Sequence, residues 1–291
     1  MPRPSDGPGD RTDSIRLATA AMGARFEMVL PLTGWRPEDL RAVGEDAVAL
    51  IEGLHRRWSR FDRASLVSAI VRDAGQRVRV DSETYRLLTL AETARERSGG
   101  AFAAAYGEDG RGVAMELTPG AVRLPQSASL DVGGIAKGVA LDLAAERLQD
   151  EGVERAFLHG GASSAAAIGL GPGDAPWRVR LAGFGVDGAP EPDVELKDAC
   201  LSVSMVHPAE RGAAHVIDRR TGLIGRVDGA AACVGRLGGA GLADARATAL
   251  AIGAGWKDTE EDHEIAWTTW TVGVTSDAAP GSAEPARETA R

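Results

Sequence analysis

The segment 36–58 places apolar and polar residues with the spacing of a helix. Its apolar positions fall on one helical face, at Leu40, Val43, Ala47, Leu50, Ile51, Leu54 and Trp58. Pro37 stands where helices often begin, because backbone N–H groups of the first turn have no intrahelical partner. The pattern predicts an amphipathic helix whose apolar face packs on a core.

Helical signals also occur in later segments of the chain. These segments are 81–100, 131–152 and 242–255. Asp81 or Ser82 can cap the first of them, and glycines close the first two. We therefore expect long helices to be spread along the chain.

Short β-like runs alternate with these helices. Residues 14–30 predict two strands around a turn at Gly23, and residues 113–124 predict a hairpin around Pro119. Further runs cover 77–80, 155–161, 177–183, 199–204, 213–218, 229–236 and 264–274. Strands at both ends with helices between them predict an α+β fold with mixed or antiparallel sheets and packed helices.

Residues 14–275 are expected to form one domain, since the sequence shows neither an internal repeat nor a linker. Residues 1–13 and 276–291 are rich in small and polar residues that cannot supply a core, which predicts disordered tails. The start has no apolar stretch of a secretory signal, and no run of about 18 apolar residues occurs. We therefore expect a cytoplasmic protein without membrane insertion.

The net charge restricts the classes of partner that the protein can bind, and the surroundings of the cysteines indicate their chemical state. The net charge of −9 argues against nucleic acid, because proteins that bind it usually carry a basic surface. The basic cluster at 55–63 is explained by a solvated helix end. Cys200 and Cys233 stand in apolar runs, which favours buried thiols over a disulfide or a metal pair.

The stretch 131–138 (DVGGIAKG) places an acid, two glycines and a lysine before a predicted helix. It is not a P-loop, since Gly138 and Val139 follow Lys137, and its glycines do not fit the dinucleotide fingerprint. Backbone N–H groups of a first helical turn and a lysine charge favour an anion site. From this stretch alone, a glycine-rich helix cap with Lys137 in solvent is the alternative.

Two other stretches carry candidate chemistry. HVIDRRTG (215–222) combines a histidine, an acid and a turn. In LADARATAL (242–250), Asp244 and Thr248 stand four residues apart and share a helix face. A carboxylate and a hydroxyl are oxygen ligands suited to Mg²⁺. Taken singly, Asp244 fits a helix-surface acid better, Thr248 a filler and His215 a structural residue.

The three stretches together, in this order, resemble the FAD:protein FMN transferases, the ApbE-like family. That family has a similar Asp-x-Gly-Gly-Ile-Ala-Lys-Gly turn, a His-x-Ile-Asp-Pro-Arg-Thr-Gly turn and an Ala-Asp-Ala-x-x-Thr-Ala helix. MGARF (22–26), SRF (59–61), GGAF (99–102) and the strand at 152–161 extend the likeness, which covers roughly residues 20–255. The resemblance implies a T-fold-like α+β architecture.

The resemblance also implies a reaction. Family members bind FAD with Mg²⁺, cleave its diphosphate, attach FMN through a phosphoester to a Thr or Ser of an acceptor protein and release AMP. By similarity, the metal ligands are Asp244, Thr248 and the backbone carbonyl of Gly134. The matching FAD-binding positions are Met22, Phe61, Ala101, Phe102, Asp131 and Lys137.

His215 is the candidate base by this resemblance, because a neutral imidazole can accept a proton near pH 7. Asp218 would orient His215 or the turn. The acceptor protein is not identified by the sequence.

Several positions depart from the family pattern. Arg219 replaces a proline, Val203 and Met205 replace the threonine and glycine of a Thr-Ser-Gly stretch, and Ala103 replaces an aspartate. The departures leave two alternatives to the transferase open. One is an FAD pyrophosphatase that yields FMN and AMP, and the other is a non-catalytic flavin-binding protein.

Overall fold

The computed structural model of the protein describes residues 13–185, 190–206, 216–224, 229–259 and 267–272. The expected tails, except Asp13, and the end of the expected 14–275 domain lie outside the described residues, as do parts of the runs predicted at 213–218 and 264–274.

The described helices are α1 (Pro37–Trp58), α2 (Leu66–Arg72), α3 (Ser82–Arg97), α4 (Ala136–Asp150) and α5 (Ala240–Ala251). The described strands are β1 (Ser14–Ala21), β2 (Ala24–Pro31), β3 (Arg77–Arg79), β4 (Ala105–Tyr106), β5 (Glu116–Thr118), β6 (Ala121–Arg123), β7 (Ser129–Leu130), β8 (Ala156–Gly160), β9 (Ser164–Ile168), β10 (Trp177–Arg180), β11 (Asp193–Leu196), β12 (Ala199–Val206), β13 (Ile217–Asp218), β14 (Leu223–Ile224), β15 (Gly229–Arg236) and β16 (Thr268–Val272).

A seven-stranded sheet forms the centre of the fold, in the order β1-β2-β8-β9-β12-β15-β16. Each neighbouring pair in it is antiparallel. The turn between β1 and β2 holds Gly23 at φ +71°, a conformation that costs glycine little. The predicted α+β fold with antiparallel sheets and packed helices is confirmed.

One face of this sheet packs against α1, α4 and α5. Phe26, Met28 and Leu158 from the sheet are buried with Leu40 and Ile51 from α1. Full burial of each such side chain contributes about 1.5–3 kcal/mol. This helix-covered side is the main core, and it fixes the positions of α4 and α5 over the central strands.

The opposite face of the sheet is covered by the hairpin of β10 and β11. Leu181, Phe184, Val194 and Leu196 pack there on Ala167, Leu201 and Ala232. Because side chains alternate along a strand, β12 turns Leu201 and Val203 to this hairpin, whereas Val206 packs in the main core. The two faces of β12 therefore have different neighbours.

A further prediction concerns the two cysteines. Cys200 and Cys233 are free, buried thiols, as the sequence favoured. Within the described residues, no helix has the length and apolar content needed to cross a membrane.

Candidate functional site

Helices α4 and α5 cross at a contact between glycines. A Cβ added to Gly138 would overlap the carbonyl group of Ala240 and lie 2.7 Å from the backbone nitrogen of Gly241. A Cβ on Gly241 would in turn lie 2.6 Å from a methyl group of Val139. Only residues without a side chain allow the two backbones to approach this closely. The start of the motif helix α4 is therefore held directly against α5.

Asp142 of α4 strengthens this crossing. Its buried carboxylate accepts hydrogen bonds from the backbone nitrogens of Ala240 and Gly241, both at 3.0 Å. These N–H groups belong to the first turn of α5, so Asp142 caps that helix from a neighbouring one. Burial raises the pKa of Asp142 to about 7, and the two N–H groups oppose this rise.

The crossing brings two of the motifs together at Asp244. The backbone nitrogen of Gly138 donates to Asp244 Oδ2 at 2.8 Å, although the two residues are far apart in sequence. Asp244 Oδ1 accepts from Ser164 Oγ at 2.8 Å and from Ser202 Oγ at 2.6 Å. A helix-surface acid is therefore not what the structure contains: Asp244 is a buried, hydrogen-bonded carboxylate.

Lys137 lies close enough to act on this carboxylate. Burial raises the pKa of Asp244, and the positive charge of Lys137 is the largest opposing influence. The side chain of Lys137 is itself half-buried. The alternative in which Lys137 points into solvent is thus not the arrangement found.

Thr248 lies one turn after Asp244, as the helical spacing predicted. The residue is half-buried, and its Oγ1 donates to the backbone oxygen of Asp244 at 2.8 Å. Donation uses the only proton of the hydroxyl and leaves its lone pairs available to a further ligand. Within the parts of the chain that the structure describes, no group of three or more His, Cys, Asp or Glu side chains is placed to hold a metal.

The turn before α4 is held by Asp131. Its Oδ1 accepts from the backbone nitrogen of Gly133 at 2.9 Å, and its Oδ2 accepts from Arg60 Nη1 at 2.7 Å. The Arg60 guanidinium also lies 4.8 Å from the ring centre of Phe61, whose surface is 84% exposed. Arg60 therefore links the exposed Phe61 to the motif turn.

Gly134 of the same turn lies against the ring of Phe102. A Cβ at Gly134 would come within 2.9 Å of Phe102 Cε2, so glycine is needed for this close approach. Phe102 and its neighbour Ala101 are buried. The structure thus brings Gly134 and Phe102 into contact.

Segment 101–104 supports both the motif turn and the turn at Arg219 through its backbone. The oxygen of Ala104 accepts from the backbone nitrogen of Asp131 at 2.8 Å. The oxygen of Ala101 accepts from the backbone nitrogen of Arg219 at 3.1 Å. Ala103 is buried, and a Cβ added at Gly112 would lie 2.7 Å from the Cβ of Ala103 and 3.4 Å from that of Arg219.

Arg219 has its own set of contacts in this region. Its guanidinium lies 3.8 Å from the ring centre of Tyr106, and its Nη1 donates to the oxygen of Gly110 at 3.1 Å. Burial lowers the pKa of Arg219, whereas Tyr106 and Asp131 raise it. The residue that replaces the family's proline is thus a half-buried cation within electrostatic range of Asp131.

Two of the remaining predicted site residues have other contacts, and a third is not described. Asp218 binds its own turn: Oδ1 accepts from the backbone nitrogen of Arg220 at 2.9 Å, and Oδ2 accepts from Arg220 Nη2 at 2.7 Å. Met22 lies in the β1–β2 turn, where its backbone nitrogen donates to His55 Nδ1 at 3.1 Å. His215 lies outside the described residues.

Sequence reasoning missed Ser164, Ser202 and Arg60. Each contacts a predicted site residue that is distant in sequence, and a contact of this kind leaves no local pattern, even though Arg60 stands within the SRF stretch. The strand placement of Ser202 was predicted, but its contact with α5 could be found only from the packing.

Comparisons with known proteins agree with this architecture. The model of the ApbE family matches residues 22–112 and 111–260. The crystal structure of the ApbE protein of Thermotoga maritima is 22% identical, with a TM-score of 0.68 over 82% of this chain and 87% of that one. No curated protein sequence matches significantly.

Two further solved structures share the fold. The apo form of the flavinyl transferase ApbE of Pseudomonas stutzeri is 20% identical, with a TM-score of 0.69 over 82% of this chain and 84% of that one. A mutant of the flavin transferase ApbE of Vibrio cholerae is 17% identical, with a TM-score of 0.71 over 91% of this chain and 95% of that one. Since the family model spans most of the sequence, the chain belongs to the ApbE family.

Proposed function

We propose that this protein is a Mg²⁺-dependent FAD:protein FMN transferase. It binds FAD, cleaves the diphosphate, attaches FMN through a phosphoester to a Thr or Ser of an acceptor protein and releases AMP. Family membership and the flavin transferase structures of the same fold support this activity. The observation that carries the proposal is the hydrogen bond between Gly138 and Asp244, because it joins an anion-binding type of turn to a carboxylate suited to a metal.

The residues around Asp244 fit Mg²⁺. This ion is commonly held by one or two carboxylates together with substrate phosphates and water, so a large acidic cluster is not required. Asp244 would supply a carboxylate oxygen, Thr248 a hydroxyl oxygen and Gly134 a carbonyl oxygen. When bound, Mg²⁺ neutralises charge on the diphosphate.

The motif turn and its neighbours would bind the flavin nucleotide. Lys137 supplies a positive charge next to Asp244, and the free N–H groups at the start of α4 favour a phosphate. Asp131 would orient the nucleotide from the turn. The Oδ2 atom of Asp131 accepts a hydrogen bond from Arg60, which would hold this carboxylate in place. Phe61, Phe102, Ala101 and Met22 are the proposed lining of the flavin pocket.

In the transfer step, the acceptor hydroxyl oxygen forms a bond to the phosphorus on the FMN side of the diphosphate. The bond from that phosphorus to the bridging oxygen breaks, and AMP leaves with the bridging oxygen. His215 is the proposed base that takes the hydroxyl proton. Asp218, whose carboxylate accepts hydrogen bonds from Arg220, would orient His215 or this turn.

The departures from the family pattern bear on whether the chain is catalytic. Val203 packs toward the β10–β11 hairpin, on the face of β12 opposite Ser202 and Asp244. Met205 stands two residues further along the same strand and is exposed. These two replacements therefore leave the surroundings of Asp244 intact, which favours an active enzyme over a non-catalytic flavin-binding protein.

The first experiment is to titrate the flavin-free protein with FAD, FMN and ADP, with and without Mg²⁺, by calorimetry. We expect Mg²⁺ to strengthen FAD binding, and Asp244→Asn to abolish this effect. Asp46→Asn is the matched control, because Asp46 is a surface carboxylate paired with Arg147 on α4, outside the proposed site. Equal FAD binding in all conditions by the wild type and Asp244→Asn would refute the site.

Product analysis separates transfer from hydrolysis. AMP release that requires an acceptor protein and yields a flavinylated Thr or Ser supports the transferase. AMP and free FMN without an acceptor would identify the FAD pyrophosphatase, which needs the same residues. If His215→Ala left FMN transfer at the wild-type rate while FAD still bound, His215 would not be the base.

A further inference from the structure

Ser164 and Ser202 form a matched pair on neighbouring strands. They stand directly opposite each other in the antiparallel ladder of β9 and β12. Both side chains are buried, with exposures of 4% and 2%. Directly opposite residues of such a ladder point to the same face, so both hydroxyls lie beneath α5.

Both hydroxyls donate to the same oxygen of Asp244. Ser164 Oγ and Ser202 Oγ lie 2.8 Å and 2.6 Å from Oδ1. The other oxygen, Oδ2, accepts only the backbone N–H of Gly138 among the described residues, at 2.8 Å. An ionised carboxylate offers about four lone-pair positions, two on each oxygen. Oδ1 is therefore fully used, and Oδ2 keeps one position.

The number of free lone-pair positions restricts how Asp244 can bind a cation. Bidentate coordination needs a lone pair from each oxygen, and Oδ1 has none left. A cation can bind through Oδ2 alone, on the side of the carboxylate where α4 begins. The two serines also prevent the carboxylate from rotating, because rotation would break two buried hydrogen bonds.

We propose that Ser164 and Ser202 are positioning residues that hold Asp244 so that it offers a single oxygen, Oδ2, to the divalent cation. The inference rests on the proposed metal site and adds to it the residues that set its geometry. Partners of metal ligands commonly change metal affinity about 10- to 100-fold when they are removed. The serines do not themselves touch the cation.

The test uses Mn²⁺ as a probe for the Mg²⁺ site and measures its affinity by electron paramagnetic resonance. We expect Ser164→Ala and Ser202→Ala each to weaken Mn²⁺ binding about tenfold or more. Ser202→Thr keeps the hydroxyl and should keep most of the affinity. Infrared difference spectra on Mg²⁺ addition should show a one-oxygen carboxylate signature in the wild type, which is lost in the alanine variants.

Ser65→Ala is the matched control for the loss of a buried hydroxyl. Ser65 caps α2 and donates to the oxygen of Ser59, so its replacement lowers stability without touching Asp244. Thermal unfolding of every variant identifies those that are folded at the assay temperature. Lower stability in all three alanine variants with weaker Mn²⁺ binding only at 164 and 202 supports the proposal.

Two results would overturn the proposal in different ways. Mn²⁺ binding that depends on Asp244 but is unchanged in folded Ser164→Ala and Ser202→Ala would make the serines purely structural, and the metal site would stand. Mn²⁺ binding that is unaffected by Asp244→Asn would remove the metal site itself, and with it the role of the serines.

Discussion

Gly138 is the point where α4 and α5 approach most closely through backbone atoms. A Cβ at this position would overlap the carbonyl group of Ala240 and lie 2.7 Å from the nitrogen of Gly241. Both neighbours are main-chain atoms at the start of α5, so no side-chain rotation relieves the overlap. We expect Gly138→Ala to displace the first turn of α5 and with it Asp244.

The expected change in the free energy of unfolding of Gly138→Ala is the sum of opposing contributions. A helical Gly→Ala change with free space stabilises by about 0.5–1 kcal/mol. Overpacking costs about 1–3 kcal/mol, and the backbone overlap places Gly138 at the upper end. Weakening the hydrogen bond from Gly138 to the buried Asp244 carboxylate adds about 1 kcal/mol. The expected net loss in the free energy of unfolding is about 3–3.5 kcal/mol.

Two glycines of α1 serve as controls. At Gly53 the nearest described atom is Arg57 Nη2 at 4.0 Å, so Gly53→Ala should stabilise by about 0.5–1 kcal/mol. At Gly44 a Cβ would overlap a methyl of Leu17 and lie 2.8 Å from one of Leu30. These are flexible side-chain ends, so Gly44→Ala should cost less than Gly138→Ala.

Urea unfolding followed by circular dichroism measures all three variants at one temperature. We expect Gly53→Ala to be the most stable variant, Gly44→Ala to be intermediate and Gly138→Ala to be the least stable. If Gly138→Ala were as stable as Gly53→Ala, α4 and α5 would not be in backbone contact, and the position of Asp244 derived from that contact would be wrong.

Three more predictions follow. Burial raises the pKa of Asp142 from 3.8 to about 7. Between these two pH values the folded chain keeps a proton that the unfolded chain loses, so the contribution of Asp142 to stability falls as pH rises. Urea unfolding at several pH values should show a smaller fall in stability for Asp142→Asn. Arg219→Pro removes the N–H that donates to the Ala101 oxygen and should lower the free energy of unfolding by about 1–3 kcal/mol in the same assay. Arg219→Lys keeps that N–H and should lose less stability. Equal losses in the two variants would contradict this prediction. Burial raises the pKa of both thiols, to about 12 for Cys233 and well above the usual value for Cys200, so a thiol reagent at pH 8 should label them quickly only in urea, and rapid labelling of the folded protein would contradict their burial.

The elements predicted from the sequence are those with a clear period or a clear turn. The amphipathic segment at 36–58 and the hairpin around Gly23 are found as α1 and the β1–β2 pair. Helix α2 was not predicted, since its seven residues are too short for a helical period to show. Strand β9 was missed because SAAAI is buried throughout, so it lacks alternation, and alanine is uncommon in strands.

The residues of the candidate site also differ in whether the sequence could predict them. Asp131, Lys137, Asp244 and Thr248 could be predicted because each belongs to a local motif that resembles a family pattern. The hydroxyl pair bound to Asp244 could not, because it depends on the register of two strands and on which face α5 covers. Such contacts arise only when distant segments pack.

The supports of the two turns at segment 101–104 are main-chain hydrogen bonds, so they do not depend on which side chains this segment carries. An alanine can stand at 103 where relatives use aspartate without disturbing how Asp131 or Arg219 is held. All four side chains of this segment are buried, so only exchanges that fit the surrounding packing can occur there while the main-chain bonds to both turns are kept.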